Sequence, residues 1–270
     1  MILIDGLVGS AIPADDRGFT YGDGVFRTLA MRRGRPEFWA RHYARLAADC
    51  AALAIAPPAA EAVLADLRIV AARMPESAVR ITVTRGSGGR GYMADPDLRP
   101  RRVVTAGPLP DYPARFQTHG VRVRYCDLRL AAQPRLAGIK HLNRLENVLA
   151  RAEWNDPAIA EGLLLDADGH VIEGTRSNLF IVEGNVLTTP DLSRCGVAGV
   201  TRDLVLEAAQ HHGMSCQVQP LDRLRLESAD EVFLVNSLIR VWPVTAAGTR
   251  TWSRHAVTPR VGEWLDAADR

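Results

Sequence analysis

Lysine is almost absent from this 270-residue chain: of 33 basic residues only Lys140 is a lysine, the rest being arginine. Cysteine is scarce too. The four present, Cys50, Cys126, Cys195 and Cys216, lie far apart with no C-x-x-C pair, which excludes both a cysteine zinc site and a small disulfide framework. No apolar run approaches the roughly 20 residues that a membrane-spanning helix requires. Met1 to Ile12 is apolar but broken by Asp5 and Gly6 and has no basic leader, which argues against a secretory signal. An excess of one charge is missing as well, with 31 acidic residues against the 33 basic ones and no block of like sign. Neither nucleic acid nor a membrane surface is therefore an expected partner, and a small molecule is. The seven histidines lack metal-ligand spacing, so no metal is expected. A reduced, cytoplasmic protein fits these absences.

What remains is ordinary globular material, 47% apolar and 24% charged, enough for one large domain or two modest ones. Arginine can replace lysine wherever only surface charge is needed. It cannot do so where chemistry needs a primary amine that loses its proton, because guanidinium stays protonated and forms no Schiff base. Lys140 is thus either a chance surface survivor or a chemically required amine. Its place in Gly138-Ile-Lys140-His-Leu-Asn143, after an irregular stretch and before a helix predicted over 143–154, favours a loop or strand end over a solvated helix face.

Periodicity predicts the remaining elements. Short strands flank the Asp5-Gly6 turn, and a hairpin turns at Arg33-Gly34-Arg35. Apolar residues at three- and four-residue steps predict helices over 39–53 and 59–73, the first ended by Pro57-Pro58. Alternation predicts a strand over 78–85. Pro108, Pro110 and Pro113 mark 108–119 as a linker, and the domain boundary is expected there, giving an N-terminal domain 1–114 and a C-terminal domain 115–270. Beyond it come a strand over 120–126, the helix over 143–154 with Leu142, Leu145, Val148, Leu149 and Ala152 as a core-facing stripe, hairpins turning at Asp168-Gly169 and Gly184-Asn185, a helix over 201–212, and strands over 232–235 and 240–244. Hairpins of this kind indicate mixed and antiparallel sheets, an α+β (mixed α/β) fold.

Three segments invite functional readings. Gly86 to Gly91 matches G-x-G-x-x-G after a strand, but Pro96 and Pro100 follow and no helix opens, so the dinucleotide reading fails. A glycine-rich turn presenting Arg90 and Tyr92 to an anion is the better account. Glu173, where a hairpin strand ends beside Gly174, is either a surface glutamate or a placed carboxylate. Gly196 to Asp203 is a turn into a helix with Thr201 near its start, which can present unpaired N–H groups to an anion or simply cap.

Together Asp16 to Gly24, Arg41 to Leu46, Gly138 to Glu146, Ile172 to Phe180, Gly196 to Arg202 and Asp230 to Ser237 resemble the fold-type IV pyridoxal-phosphate enzymes, which include branched-chain transaminases, D-amino-acid transaminases and 4-amino-4-deoxychorismate lyases. The resemblance covers nearly the whole chain. It is greatest to the lyase branch, through Arg85 to Tyr92 and Gly138 to Glu146. The tyrosine that branched-chain transaminases carry five residues after the lysine is Leu145 here, and the arginine and histidine trap of D-amino-acid transaminases is matched by Arg90-Gly91-Tyr92.

The resemblance implies a two-domain homodimer with pyridoxal 5'-phosphate between the domains. Lys140 would hold the cofactor as a Schiff base and move the substrate proton, Glu173 would pair with the ring nitrogen, and Arg45, Gly199, Val200, Thr201 and Ser237 would bind the phosphate. It places Arg90 and Asn236 at the substrate carboxylates, Phe26 and Tyr92 as walls, and Thr28 as an aid to proton transfer. The implied reaction releases 4-aminobenzoate and pyruvate from 4-amino-4-deoxychorismate, with transamination as the alternative. An arginine-rich, non-catalytic anion-binding protein is the reading from a different class.

Overall fold

Asp5 and Gly6, both at positive φ (49° and 93°), reverse the chain between strands β1 (Ile2–Ile4) and β2 (Leu7–Val8). Asp16 caps the short helix α1 (Arg17–Tyr21), its carboxylate accepting the Gly18 N–H at 2.8 Å. Strand β3 (Gly24–Arg32) turns at Arg33-Gly34, again both at positive φ, into β4 (Arg35–Pro36). Helices α2 (Trp39–Ala52) and α3 (Ala60–Arg73) follow, then β5 (Ser77–Thr84) and β6 (Arg101–Gly107). These strands form an antiparallel sheet of order β2-β1-β6-β5-β3-β4. Its inward residues, Val25, Leu29, Val79 and Ile81, pack with Leu46, Val63 and Leu67 of the two helices. Each such side chain taken fully out of water contributes about 1.5–3 kcal/mol.

The computed structural model describes residues 1–268, and these divide into two compact units. The first comprises Met1–Pro110 together with Ile139–Asn143, and the second Asp111–Gly138 with the chain from Arg144 onward. The segment carrying Lys140 therefore returns to the first unit. Its grip is backbone pairing on β3: Phe26 N–H donates to the Lys140 carbonyl at 2.9 Å and Leu142 N–H to the Gly24 carbonyl at 3.0 Å.

The second unit begins with α4 (Arg115–Thr118) and β7 (Val121–Leu130). The stretch read as a linker is thus partly ordered, because Tyr112 and Phe116 set their rings edge-on to the buried Trp242, with centroids at 4.9 and 5.2 Å. Next come α5 (Leu145–Arg151), β8 (Ile159–Asp166), β9 (Val171–Gly174), β10 (Asn178–Glu183), β11 (Val186–Pro190), α6 (Val200–His211), β12 (Ser215–Gln219) and α7 (Arg223–Ser228). Strands β13 (Glu231–Asn236), β14 (Arg240–Ala247) and β15 (Arg250–Thr251) and helix α8 (Val257–Ala268) complete it. The sheet runs β12-β11-β10-β13-β14-β7-β8-β9, with β15 on β14 and with parallel pairs at β11/β12, β14/β7 and β7/β8. The fold is the expected α+β arrangement, with one antiparallel and one mixed sheet. Among the described residues no helix is long and apolar enough to cross a membrane.

One packing expectation is overturned. Helix α5 is seven residues long, not twelve, and Leu145, Val148 and Leu149 are 67%, 61% and 53% exposed. It docks through its small and polar side instead. Ala150 is buried, Glu146 accepts the Ala131 N–H at 2.9 Å, and Asn147 donates to the Thr175 carbonyl at 3.0 Å. Leu145, Val148 and Leu149 lie on the opposite side of the helix from these contacts, so the docking that Glu146, Asn147 and Ala150 provide turns the apolar stripe outward.

Candidate active site

In the first unit, Lys140 is half-buried and both of its backbone polar groups are engaged, the carbonyl by Phe26 and the N–H by Asp49 Oδ2 at 3.2 Å. Its ammonium lies 4.6 Å from the centroid of the Phe26 ring. A second cation meets that ring: the Arg80 guanidinium carbon is 3.7 Å from the centroid. Pairing of β3 with β5 sets Phe26 opposite Thr82 and Thr28 opposite Arg80, so these four alternate onto one face of the sheet. Arg80 was missed in the sequence, although the alternation in β5 that predicts the strand also assigns its face. His42, buried at the start of α2, has its pKa driven down to about 3 by burial first and then by the charges of Arg27 and Lys140, and is neutral at working pH. Arg45, half-buried, lies on the same helix one turn before Asp49.

The glycine-rich loop leaves β5 at Gly86, whose φ is +93° and where a Cβ would meet the Arg99 carbonyl oxygen at 2.1 Å, so only glycine passes. No helix follows it. Arg90 and Tyr92 are exposed on this loop, Tyr92 at 90%. The loop is tethered by Arg17, which donates to the carbonyls of Gly91 at 3.0 Å and Tyr92 at 2.9 Å, and by the Tyr21 ring, edge-on to Tyr92 at 5.6 Å. Arg17 and Arg85 also grip Asp23, and their hydrogen bonds hold its pKa low although burial alone would raise it.

In the second unit Glu173 is 4% exposed, and its Oε2 accepts the Val197 N–H at 2.8 Å. It is a placed carboxylate, not a surface one. The chain crosses beside it at Gly196, φ +85°, where a Cβ would lie 2.7 Å from Ile172 Cγ2 and 2.8 Å from Leu192 Cδ2. The turn between Glu173 and β10 is built on Glu161, 1% exposed, which accepts the Thr175 hydroxyl at 2.5 Å and the Ser177 hydroxyl at 3.0 Å. Asn178 then donates to the Val197 carbonyl at 2.8 Å and accepts the Gly199 N–H at 3.1 Å, so Glu173 and the start of α6 share one framework.

Gly199 is the N-cap of α6, and Val200 and Thr201 are its first two helical residues, whose N–H groups have no carbonyl within the helix to bond. A Cβ on Gly199 would meet Asn178 Oδ1 at 2.3 Å and so would displace the amide that links this N–H to the Val197 carbonyl. Ser237 lies half-buried in the turn after β13. Its neighbour Asn236 puts both ends of its amide on backbone, accepting from Leu238 and Ile239 N–H at 2.8 and 2.9 Å and donating to the Arg176 carbonyl at 3.0 Å. The structure thus gathers Lys140, Phe26 and Thr28 within one unit, and Glu173, Gly199, Val200 and Thr201 within the other.

The family model for amino-transferase class IV matches residues 24–247. An aminodeoxychorismate lyase of Vibrio harveyi is 40% identical over 246 residues, 91% of this chain and 90% of that protein. A D-alanine aminotransferase of Bacillus licheniformis is 30% identical over 254 residues, covering 92% and 87% of the two chains. The crystal structure of 4-amino-4-deoxychorismate lyase from Pseudomonas aeruginosa superposes with a TM-score of 0.95 at 44% identity over the whole of both chains.

Proposed function

This chain belongs to the amino-transferase class IV family, and we propose that within it the protein is a pyridoxal-phosphate-dependent lyase converting 4-amino-4-deoxychorismate to 4-aminobenzoate and pyruvate. The observation that carries the cofactor assignment is the one lysine of an arginine-rich chain, held by hydrogen bonds at both its N–H and its carbonyl, in a family whose chemistry needs an amine. The choice of lyase is supported by the two lyases, 40% and 44% identical over nearly all of each chain.

The residues present fit the cofactor. Lys140 supplies the amine for covalent attachment. Glu173, buried and oriented by the Val197 N–H, is placed to hold a proton on a ring nitrogen. The N–H groups that open α6, with the Thr201 and Ser237 hydroxyls and the Arg45 guanidinium, supply what a phosphate dianion needs. When bound, pyridoxal phosphate supplies an electron sink for a substrate carbon losing its proton. Lys140 Nζ would take that proton from the carbon bearing nitrogen. The ether bond to the enolpyruvyl group then breaks, the ring becomes aromatic, and the three-carbon fragment gains a proton to leave as pyruvate. Atoms and electrons balance with no second substrate. Arg90 is proposed as a carboxylate contact, Phe26 and Tyr92 as walls, and Thr28 as an aid in proton transfer.

Purified protein given 4-amino-4-deoxychorismate should release 4-aminobenzoate and pyruvate in equal amounts without any keto acid. Transfer of amino groups from D-alanine or branched-chain amino acids to a keto acid, with no 4-aminobenzoate formed, would refute the lyase assignment.

A further inference from the structure

Strand β3 presents Val25, Leu29 and Met31 to the core of the first unit at 0% exposure, and alternation puts Arg27 among them at 2%. Its guanidinium pairs with Asp49 of α2, itself 4% exposed. An apolar pair of similar volume in such a place is commonly as stable or more so, because taking two charges out of water costs what their attraction returns. Stability therefore gives no sufficient reason for an arginine and an aspartate here. The carboxylate oxygen that receives Arg27 also receives the N–H of Lys140.

We propose that the Arg27–Asp49 pair is a positioning device for Lys140, fixing the orientation of the lysine backbone from which the amine projects. The proposal rests on Lys140 being the cofactor lysine. Residues 139–143 have no regular structure of their own. Phe26 and Gly24 hold them to β3 through the Lys140 carbonyl and the Leu142 N–H, and the Asn143 amide holds Gly22. Those bonds set where the segment lies but leave the Lys140 N–H to be oriented. Asp49 supplies that bond from α2, and Arg27 holds the Asp49 carboxylate in place. With its N–H and its carbonyl both fixed, Lys140 keeps only side-chain freedom, and its Nζ sits over Phe26. Arg27 and Asp49 touch no substrate; they are positioning residues.

Two double variants separate positioning from bulk stability. Arg27→Met with Asp49→Asn removes both charges and keeps an acceptor for the Lys140 N–H, whereas Arg27→Met with Asp49→Leu removes the acceptor too. Each full-length protein is stripped of cofactor, given pyridoxal phosphate, trapped with borohydride over time and mapped for label at Lys140. The asparagine variant, which keeps the acceptor but lacks the guanidinium that holds it, should label only about two- to threefold more slowly than the natural protein. The leucine variant, with a similar melting temperature, should label about tenfold more slowly and lose kcat by a comparable factor with KM unchanged. Equal labelling rates in the two variants would overturn the proposal while leaving the cofactor assignment intact. Label absent from Lys140 in the natural chain would remove both. Amide exchange in the natural protein needs no variant to fold: the Lys140 N–H should exchange slowly, and exchange as fast as at the exposed Gly89 would overturn the positioning role.

Discussion

Replacing Glu173 by glutamine tests the electronic half of the proposed mechanism with little disturbance of the fold. The carboxylate is buried and receives the Val197 N–H on Oε2 at 2.8 Å. A glutamine carbonyl oxygen can accept the same bond, so the framework from Ile172 to Gly199 should survive, with the unfolding midpoint moved by less than about 4 °C. On the proposed mechanism, what is lost is negative charge beside the cofactor nitrogen. A hydrogen bond to a charged group contributes about 1.5–3 kcal/mol and a neutral one about 1. The difference of about 0.5–2 kcal/mol corresponds to a loss of roughly 2- to 30-fold in turnover. That range is a lower bound, because the reaction also needs the ring in its protonated form. The measurement is turnover per bound cofactor, with occupancy read from visible absorbance. Unchanged turnover at full occupancy would remove Glu173 from the mechanism.

Lys140→Arg should abolish covalent attachment of pyridoxal phosphate while leaving the melting temperature nearly unchanged, and a borohydride-fixed label on the N-terminal amine instead would refute the assignment. Arg90→Ala should raise KM for 4-amino-4-deoxychorismate by roughly 30-fold or more, since truncating a charge partner costs about 2–5 kcal/mol when the other charge is left buried; steady-state kinetics with an unaltered KM would discard Arg90. Stability should fall as pH drops below about 6.5, because His42 has its pKa lowered to about 3 in the folded protein and the unfolded chain binds the extra proton across that window. His42→Gln should flatten the slope by up to about 1.4 kcal/mol per pH unit between pH 6 and 4, and identical slopes in denaturant titrations would contradict a buried neutral imidazole.

Much of the fold could be read in the residues because local chemistry decides it. The hairpins at Asp5-Gly6 and Arg33-Gly34 need positive φ, and the central strands are declared by alternation. Short elements were not visible. Helix α1 is five residues held by one aspartate cap, α4 is four residues held by the Phe116 contact with Trp242, and the exposed strand β12 is held by parallel pairing to β11. Helix α1 is too short to show a period, and the causes of α4 and β12 are tertiary, so no window of sequence contains them. Helix α5 shows the opposite failure: its apolar stripe at Leu145, Val148 and Leu149 has ideal spacing, yet periodicity says only that one face is apolar, not that this chain covers it.

The site divides along the same line. Lys140 stands out because arginine has displaced every other lysine, and glycines stand out where a Cβ would strike a neighbour, as at Gly86, Gly196 and Gly199. The abundance that makes the lysine conspicuous hides the arginines: among 32 of them, nothing in spacing distinguishes Arg27 or Arg80 from surface charge. Only the face each occupies does so. Arg27 falls at an apolar position of β3 between Val25 and Leu29, and Asp49 lies on α2 beside the buried Cys50, three residues after the buried Leu46. A charge at an apolar position of one element opposite a charge of the other sign in the next is the trace that a buried pair leaves in a sequence. It becomes readable once the strand and the helix are known to pack, and it then points to the third group the pair serves, the amide of Lys140.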